Sequence, residues 1–307
     1  MPESTSTSVS RSARSAKVDH TIAFLGLGNM GTPMAQRLVA AGLTVVAFDV
    51  SAAATDRLVS VGATRAATAR QAVAGADLVL LMLPNSDVVQ DVVDDVLDLL
   101  APDSIVIDLS SSEPLRTRQL ATKLDARGVR MLDGPVSGGV RGAENGTLTI
   151  MLGGPGESVD VAIPVLELMG RPVHVGAVGA GHALKALNNL LSATHLMATC
   201  EAMITGQRFG LDPSVMLDVL NSSSGRSGST ENKWPNFILP ESYDSGFALS
   251  LMVKDMRIAT ELADELDTPS LLGSHAVELW TKAAAELSPG ADHTEIATWL
   301  SSLYESR

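Results

Sequence analysis

Four polar side chains, His182, Lys185, Asn188 and Asn189, interrupt an otherwise apolar stretch, GAGHALKALNNLL, at residues 179–191. His182, Lys185 and Asn189 are spaced three and four apart, so on a helix they share one face. Burying an amine or an amide costs free energy unless each finds a partner, so this face either meets water or lines a cleft. A lysine on a cleft wall could take a proton from a substrate hydroxyl or return one to a developing alkoxide. An asparagine one turn further could hold that amine or hydroxyl in line. His182 shares the face but lies at its start, where a structural or rim role is expected.

A second set of residues is suited to a dinucleotide. FLGLGNMG places Gly26, Gly28 and Gly31 in G-x-G-x-x-G spacing between a strand and a helix. The helix that follows offers N–H groups and a partial positive charge to phosphates. Asp49 ends the next strand, TVVAFD, where its carboxylate could accept from both ribose hydroxyls. A 2′-phosphate there would meet like charge, so the reading favours NAD over NADP, with Arg57 and Arg65 as the nearby cations. Two later strand ends, LMLPNS and DLSSSEP, put Pro84, Ser110 and Ser111 where a wall beside the nicotinamide ribose would stand. A third carries Ser137, Gly138 and Gly139, a hydroxyl and unhindered N–H groups that suit a carboxylate or form a plain turn.

Positioning these groups requires strands that end on one edge. Apolar runs at 21–26, 44–49, 77–83, 104–109, 129–134, 148–152 and 173–176 alternate with amphipathic segments, which indicates a parallel sheet covered on both faces. After Gly181 strand signals stop. Helices are expected over about 182–209, 213–221, 247–266, 270–287 and 293–304, with a loop through residues 221–235. The fold class is therefore α/β: an N-terminal Rossmann-type doubly wound sheet at 20–181 and an all-helical substrate and oligomerisation domain at 182–307. Residues 1–19, rich in Ser and Thr with Arg11, Arg14 and Lys17, read as a disordered tail and lack the apolar segment of a secretory signal.

Composition narrows the partners. Hydrophobic residues make up 45% of the 307-residue chain, enough for well-filled cores, and the net charge of -13 argues against nucleic acid. No apolar run is long enough for a transmembrane helix. The single Cys200 excludes an internal disulfide, fits a cytoplasmic location, and reads as a buried thiol. The histidines lack metal-ligand spacing, so no catalytic metal is expected. Asp87, Asp91, Asp94, Asp95 and Asp98 read as a solvated helix face.

GLGNMG, MLPNS, the segment DGPVSGG, GAGHALKALNN and LMVKDMRIA occur in the order found in the β-hydroxyacid dehydrogenase family. The chain resembles that family from His20 to about Leu300, and its 3-hydroxyisobutyrate dehydrogenase branch most. The resemblance implies a catalytic role for Lys185, substrate placement for Asn189, and a carboxylate-binding loop at Ser137, Gly138 and Gly139. It also implies that Lys254, otherwise read as a surface lysine, lies near both cofactor and substrate, and that Asn29, Met30, Asp49, Leu83 and Ser111 contact the cofactor. Gly134 stands where the family usually has alanine and Ser111 where it commonly has threonine, neither of which removes a needed group. The implied activity is NAD-linked interconversion of a small 3-hydroxy acid and its semialdehyde by a homodimer or homotetramer. Other expectations are a reductase of the tartronate semialdehyde, threonate or sulfolactaldehyde type, or a non-catalytic dinucleotide sensor. Imine reductases share the two-domain plan but usually lack the lysine, and 6-phosphogluconate enzymes carry a longer helical domain.

Overall fold

The computed structural model describes residues 20–305, so the tail at 1–19 lies outside the described residues. Strands β1 (Thr21–Leu25), β2 (Thr44–Phe48), β3 (Thr64–Arg65), β4 (Leu78–Leu81), β5 (Ile105–Asp108) and β6 (Arg130–Asp133) run parallel in the order β3-β2-β1-β4-β5-β6. Every residue of β4 and β5 is buried, which is why both read as continuous apolar runs rather than alternating ones. One face packs Phe24, Leu38 and Ile107 against α1 (Gly31–Ala40), and the other packs Val79, Val93 and Leu124 against α4 (Ser86–Val96) and α5 (Pro114–Asp125). Chain direction away from β1 reverses between β1 and β4, the switch point at which doubly wound sheets bind ligands.

The sheet is not parallel throughout. β8 (Leu148–Gly153) runs antiparallel to β6 and to β7 (Val136–Ser137), and β9 (Gly170–Gly176) pairs parallel to β8. β3 and β7 span two residues each, too few to show a period, and escape sequence reading. Register sets the working edge. Phe48, Leu25, Leu81, Asp108 and Asp133 are successive partners across β2, β1, β4, β5 and β6. The five loops that leave those residues therefore emerge side by side.

Helices make up the rest: α8 (Ala180–Phe209), α9 (Pro213–Asn221), α10 (Leu249–Glu265), α11 (Leu271–Glu286) and α12 (Ile296–Glu305). Leu196, Cys200, Met203, Met256, Trp280 and Leu300 form their shared core. Burial pushes the Cys200 thiol up to about 12, so it is an inert apolar filler. The segment expected as a loop through 221–235 instead winds a π-helical stretch, Ser229–Ile238. Its Gly/Ser-rich approach hides the period, but Trp234 and Ile238, four apart, are both buried and tie it to the helical core. On α4 the acidic face is paired as well as solvated, Asp87 with Arg116 at 2.7 Å and Asp94 with Lys123 at 2.5 Å. Among the described residues no helix is long and apolar enough to cross a membrane.

Candidate active site

The glycine loop closes β1 against the start of α1. A side chain at Gly26, whose φ is +96°, would collide with the carbonyl of Met82. At Gly28 a side chain would meet nothing within 4 Å, so open space lies above the loop. The N-terminus of α1 has no capping side chain and no acid in its first turn. An uncapped helix start beside an open glycine is the donor set that a pyrophosphate needs. Asp49 borders it: Oδ2 accepts from the Leu27 N–H at 2.6 Å and Oδ1 from the Ser51 N–H at 2.7 Å. The carboxylate thus shapes its own turn and braces the glycine loop, while each oxygen keeps a lone pair for a ribose hydroxyl. These residues fit a dinucleotide.

Next to this cradle, between the two domains, opens a cleft of 590 Å³. The sheet edge contributes Asn29, Met30, Leu83, Pro84, Ser111, Ser137, Gly138 and Gly139, and the helices contribute Lys185 and Lys254. Gly26, Gly28, Gly31 and Asp49 lie outside its lining. At the turn into α6 (Gly139–Asn145), Gly138 and Gly139 adopt φ of +131° and +62°, which strains any other residue. The Ser110 hydroxyl accepts from the Leu83 N–H at 2.9 Å and fixes one wall to its neighbour.

Lys185 is 8% exposed and lines the cleft, and no described residue lies within hydrogen-bond reach of its Nζ. Burial holds its pKa below the ordinary 10.5; Asp255 opposes that shift and Lys254 adds to it. Asn189 is placed differently from the expectation. It does not line the cleft, and its Nδ2 donates to Asp255 Oδ2 at 2.6 Å, while Oδ1 accepts from Asn188 at 3.2 Å. Asp255, 2% exposed, also has Oδ1 3.3 Å from Lys254 Nζ. Lys254 in turn donates to the Ser111 carbonyl at 2.7 Å and toward that of Pro84 at 3.4 Å. This lysine therefore pins the helical domain to the carboxyl ends of β4 and β5, and is no surface ornament.

Asp255 is not among the residues that the sequence singled out. Its signal was an acid at a buried position of an amphipathic helix. Tyr243 and Phe247 face the cleft from its far wall. Asp292 secures that wall by accepting from the N–H groups of Gly246 and Phe247 and from the Ser245 hydroxyl, at 2.9, 3.2 and 2.8 Å. The spelling Asp292-His293-Thr294-Glu295 is a capping box legible in the sequence. His182 is not at the rim: it is 1% exposed and packs against Thr117 near the start of α8. Arg226 pairs with Glu231 of the adjoining π-helical stretch at 2.8 Å and stays out of the cleft.

Residues 21–179 match the family model described as the NAD binding domain of 6-phosphogluconate dehydrogenase. Residues 179–300 match that of the NAD-binding of NADP-dependent 3-hydroxyisobutyrate dehydrogenase. An NAD-dependent L-serine dehydrogenase from Pseudomonas aeruginosa is 41% identical over 84% of this chain and 90% of its own length. A 3-hydroxyisobutyrate dehydrogenase from the same organism is 40% identical over 85% of this chain and 91% of its own. The solved structure of Mycobacterium tuberculosis 3-hydroxyisobutyrate dehydrogenase with L-serine superposes with a TM-score of 0.88 and 35% identity, covering 92% of this chain and 99% of that one.

Proposed function

The chain belongs to the β-hydroxyacid dehydrogenase family and is an NAD-dependent oxidoreductase of the CH–OH group, and from that premise we propose that Lys185 is the proton carrier for a small 3-hydroxy acid and its semialdehyde. One observation carries the reading: a buried amine with a lowered pKa shares a single cleft with the Ser137–Gly139 loop, beside the dinucleotide cradle.

NAD, when bound, supplies the hydride acceptor. The Ser137 hydroxyl and the N–H groups of Gly138 and Gly139 hold the substrate carboxylate, leaving the β-hydroxyl toward Lys185. Neutral Lys185 takes the hydroxyl proton as the carbinol carbon gives up its hydride, and the ammonium returns that proton in reduction. Asn189 acts at one remove by holding Asp255, the carboxylate that tunes Lys185. Met82, Leu109, Val136, Phe247 and Leu251 give the cleft dry walls.

The domain division at about residue 181, a homodimer or homotetramer, and a cytoplasmic location belong to the same proposal. Leu184, Leu187 and Leu191 form a stripe on α8 that is 42%, 43% and 57% exposed, and Leu271, the first residue of α11, is 86% exposed. Such apolar faces suit a second copy of the chain. Light scattering on the purified protein tests this, a monomer at micromolar concentration being the outcome against it.

The deciding experiment is reduction of NAD or NADP with 3-hydroxyisobutyrate, L-serine, glycerate and threonate, using wild type and Lys185→Ala. NAD-linked turnover of at least one acid is expected. A folded protein that binds NADH yet turns over no acid or semialdehyde would move the sensor reading ahead.

A further inference from the structure

Where β5, β6 and α8 converge, three ionisable side chains are shut away from water. Asp108 and Asp133 are 0% exposed and His182 is 1% exposed. Asp133 caps α8, its Oδ1 accepting from the Gly179 N–H at 2.7 Å and its Oδ2 from the His182 N–H at 2.8 Å. Asp108 Oδ1 accepts from the Ser110 N–H at 3.0 Å and Oδ2 from the Ser112 hydroxyl at 2.7 Å. The His182 ring lies between the two acids, with Nε2 3.7 Å from Asp108 Oδ2 and Nδ1 3.9 Å from Asp133 Oδ2.

Hydrogen-bond directions decide the state of the ring. Thr117 Oγ1, on α5, lies 2.8 Å from Nδ1 and 3.0 Å from the Glu113 carbonyl, and its one proton can serve only one of them. If it points at the ring, Nδ1 accepts and Nε2 carries the hydrogen. If it points at Glu113, Nδ1 carries hydrogen, and a bare Nε2 would aim its lone pair at the Asp108 carboxylate 3.7 Å away with no hydrogen-bond partner of its own. A hydrogen on Nε2 removes that fault, so both arrangements place one there. Within 4.0 Å the ring meets no acids other than Asp108 and Asp133 among the described residues, and Lys185 is the cation one turn along its own helix.

We infer that His182 carries a hydrogen on Nε2 toward Asp108 and is a positioning residue that keeps three site-bearing segments in register. Asp108 leads into Ser110 and Ser111 of the cofactor wall. Asp133 leads into the Ser137–Gly139 loop. His182 itself starts the helix that presents Lys185. One buried ring thus fixes the lysine relative to both the carboxylate anchor and the ribose wall. For its catalytic consequence the inference rests on the dehydrogenase reading; for the state of the ring it does not.

Two measurements test it. Ring ¹⁵N spectra of histidine-labelled wild type, assigned with His182→Gln, should show His182 Nε2 protonated at neutral pH. A ring with a bare Nε2 would overturn the inference, whatever the enzyme turns over. The second is a cycle of His182→Gln, Asp108→Asn and the double variant. Each single change should lower kcat by ~10–100-fold with NADH affinity kept within ~3-fold, since a catalytic group displaced by an ångström costs about that much. The double variant should be no worse than the poorer single. Losses that multiply would mean the two side chains are not paired. Absence of turnover in wild type would sink the proposed function and leave the spectroscopic result standing.

Discussion

Asn189 Nδ2 donates to Asp255 Oδ2 at 2.6 Å, so the amide one turn beyond Lys185 reaches the cleft only through a buried carboxylate of its lining. Asp255 is the acid that raises the Lys185 pKa against burial. Asp255→Asn removes that charge and leaves two lysines facing each other. The Lys185 pKa then falls further, so the acid limb of the oxidation profile should move to lower pH while the plateau kcat drops by ~10²-fold as the register loosens. A limb that stays in place or rises would show that Asp255 does not act on Lys185.

In the wild type the sign of the pH effect follows from the direction of the Lys185 shift. Oxidation needs the neutral amine and should rise with pH through a midpoint below 10.5, whereas reduction needs the ammonium and should fall through the same region. Lys185→Ala should lose ~10²–10⁴-fold in kcat and lose the limb with it. A variant that keeps the limb would assign it to another group.

The Rossmann half was legible because its strands are continuous apolar runs and its glycines carry a spacing. Lys185 and Ser137 were also singled out by their local motifs, and Lys254 by the family resemblance alone. Contacts that join distant segments were not. Nothing near Asp255 in the chain says that Asn189, 66 positions away, is its donor. Nothing in GAGH says that two strand-end acids close on His182. The π-helical stretch at 229–238 was hidden because Gly and Ser before it carry no period, and only burial of Trp234 and Ile238 reveals it.

Asp49 has two tasks, and one substitution should separate them. Asp49→Asn keeps an acceptor for the Leu27 N–H, seen at 2.6 Å, but removes the charge that would repel a 2′-phosphate. The ratio of kcat/KM for NADP to that for NAD should rise by ~10-fold or more with little change in unfolding midpoint. Asp49→Ala also orphans the Leu27 N–H and should lower stability by about 1 kcal/mol in denaturant titration. An unchanged cofactor ratio in Asp49→Asn would place the discrimination elsewhere, with Arg57 and Arg65 next to be tested.

The far wall of the cleft depends on Asp292. Burial alone would push its carboxyl up, but donors from His293, Thr294 and Ser245 outweigh burial and hold it well below the ordinary 3.8. A carboxyl depressed in the folded state contributes stability above the ordinary value and loses it as pH falls toward the folded one. Asp292→Asn should therefore cost about 1–3 kcal/mol near neutral pH, and the gap to wild type should narrow as pH drops below about 4. Because Asp292 holds the N–H groups of Gly246 and Phe247, the variant should also raise KM for the hydroxy acid more than it lowers kcat. Equal effects on both constants, with an unchanged pH dependence of stability, would mean that the wall stands without its clamp.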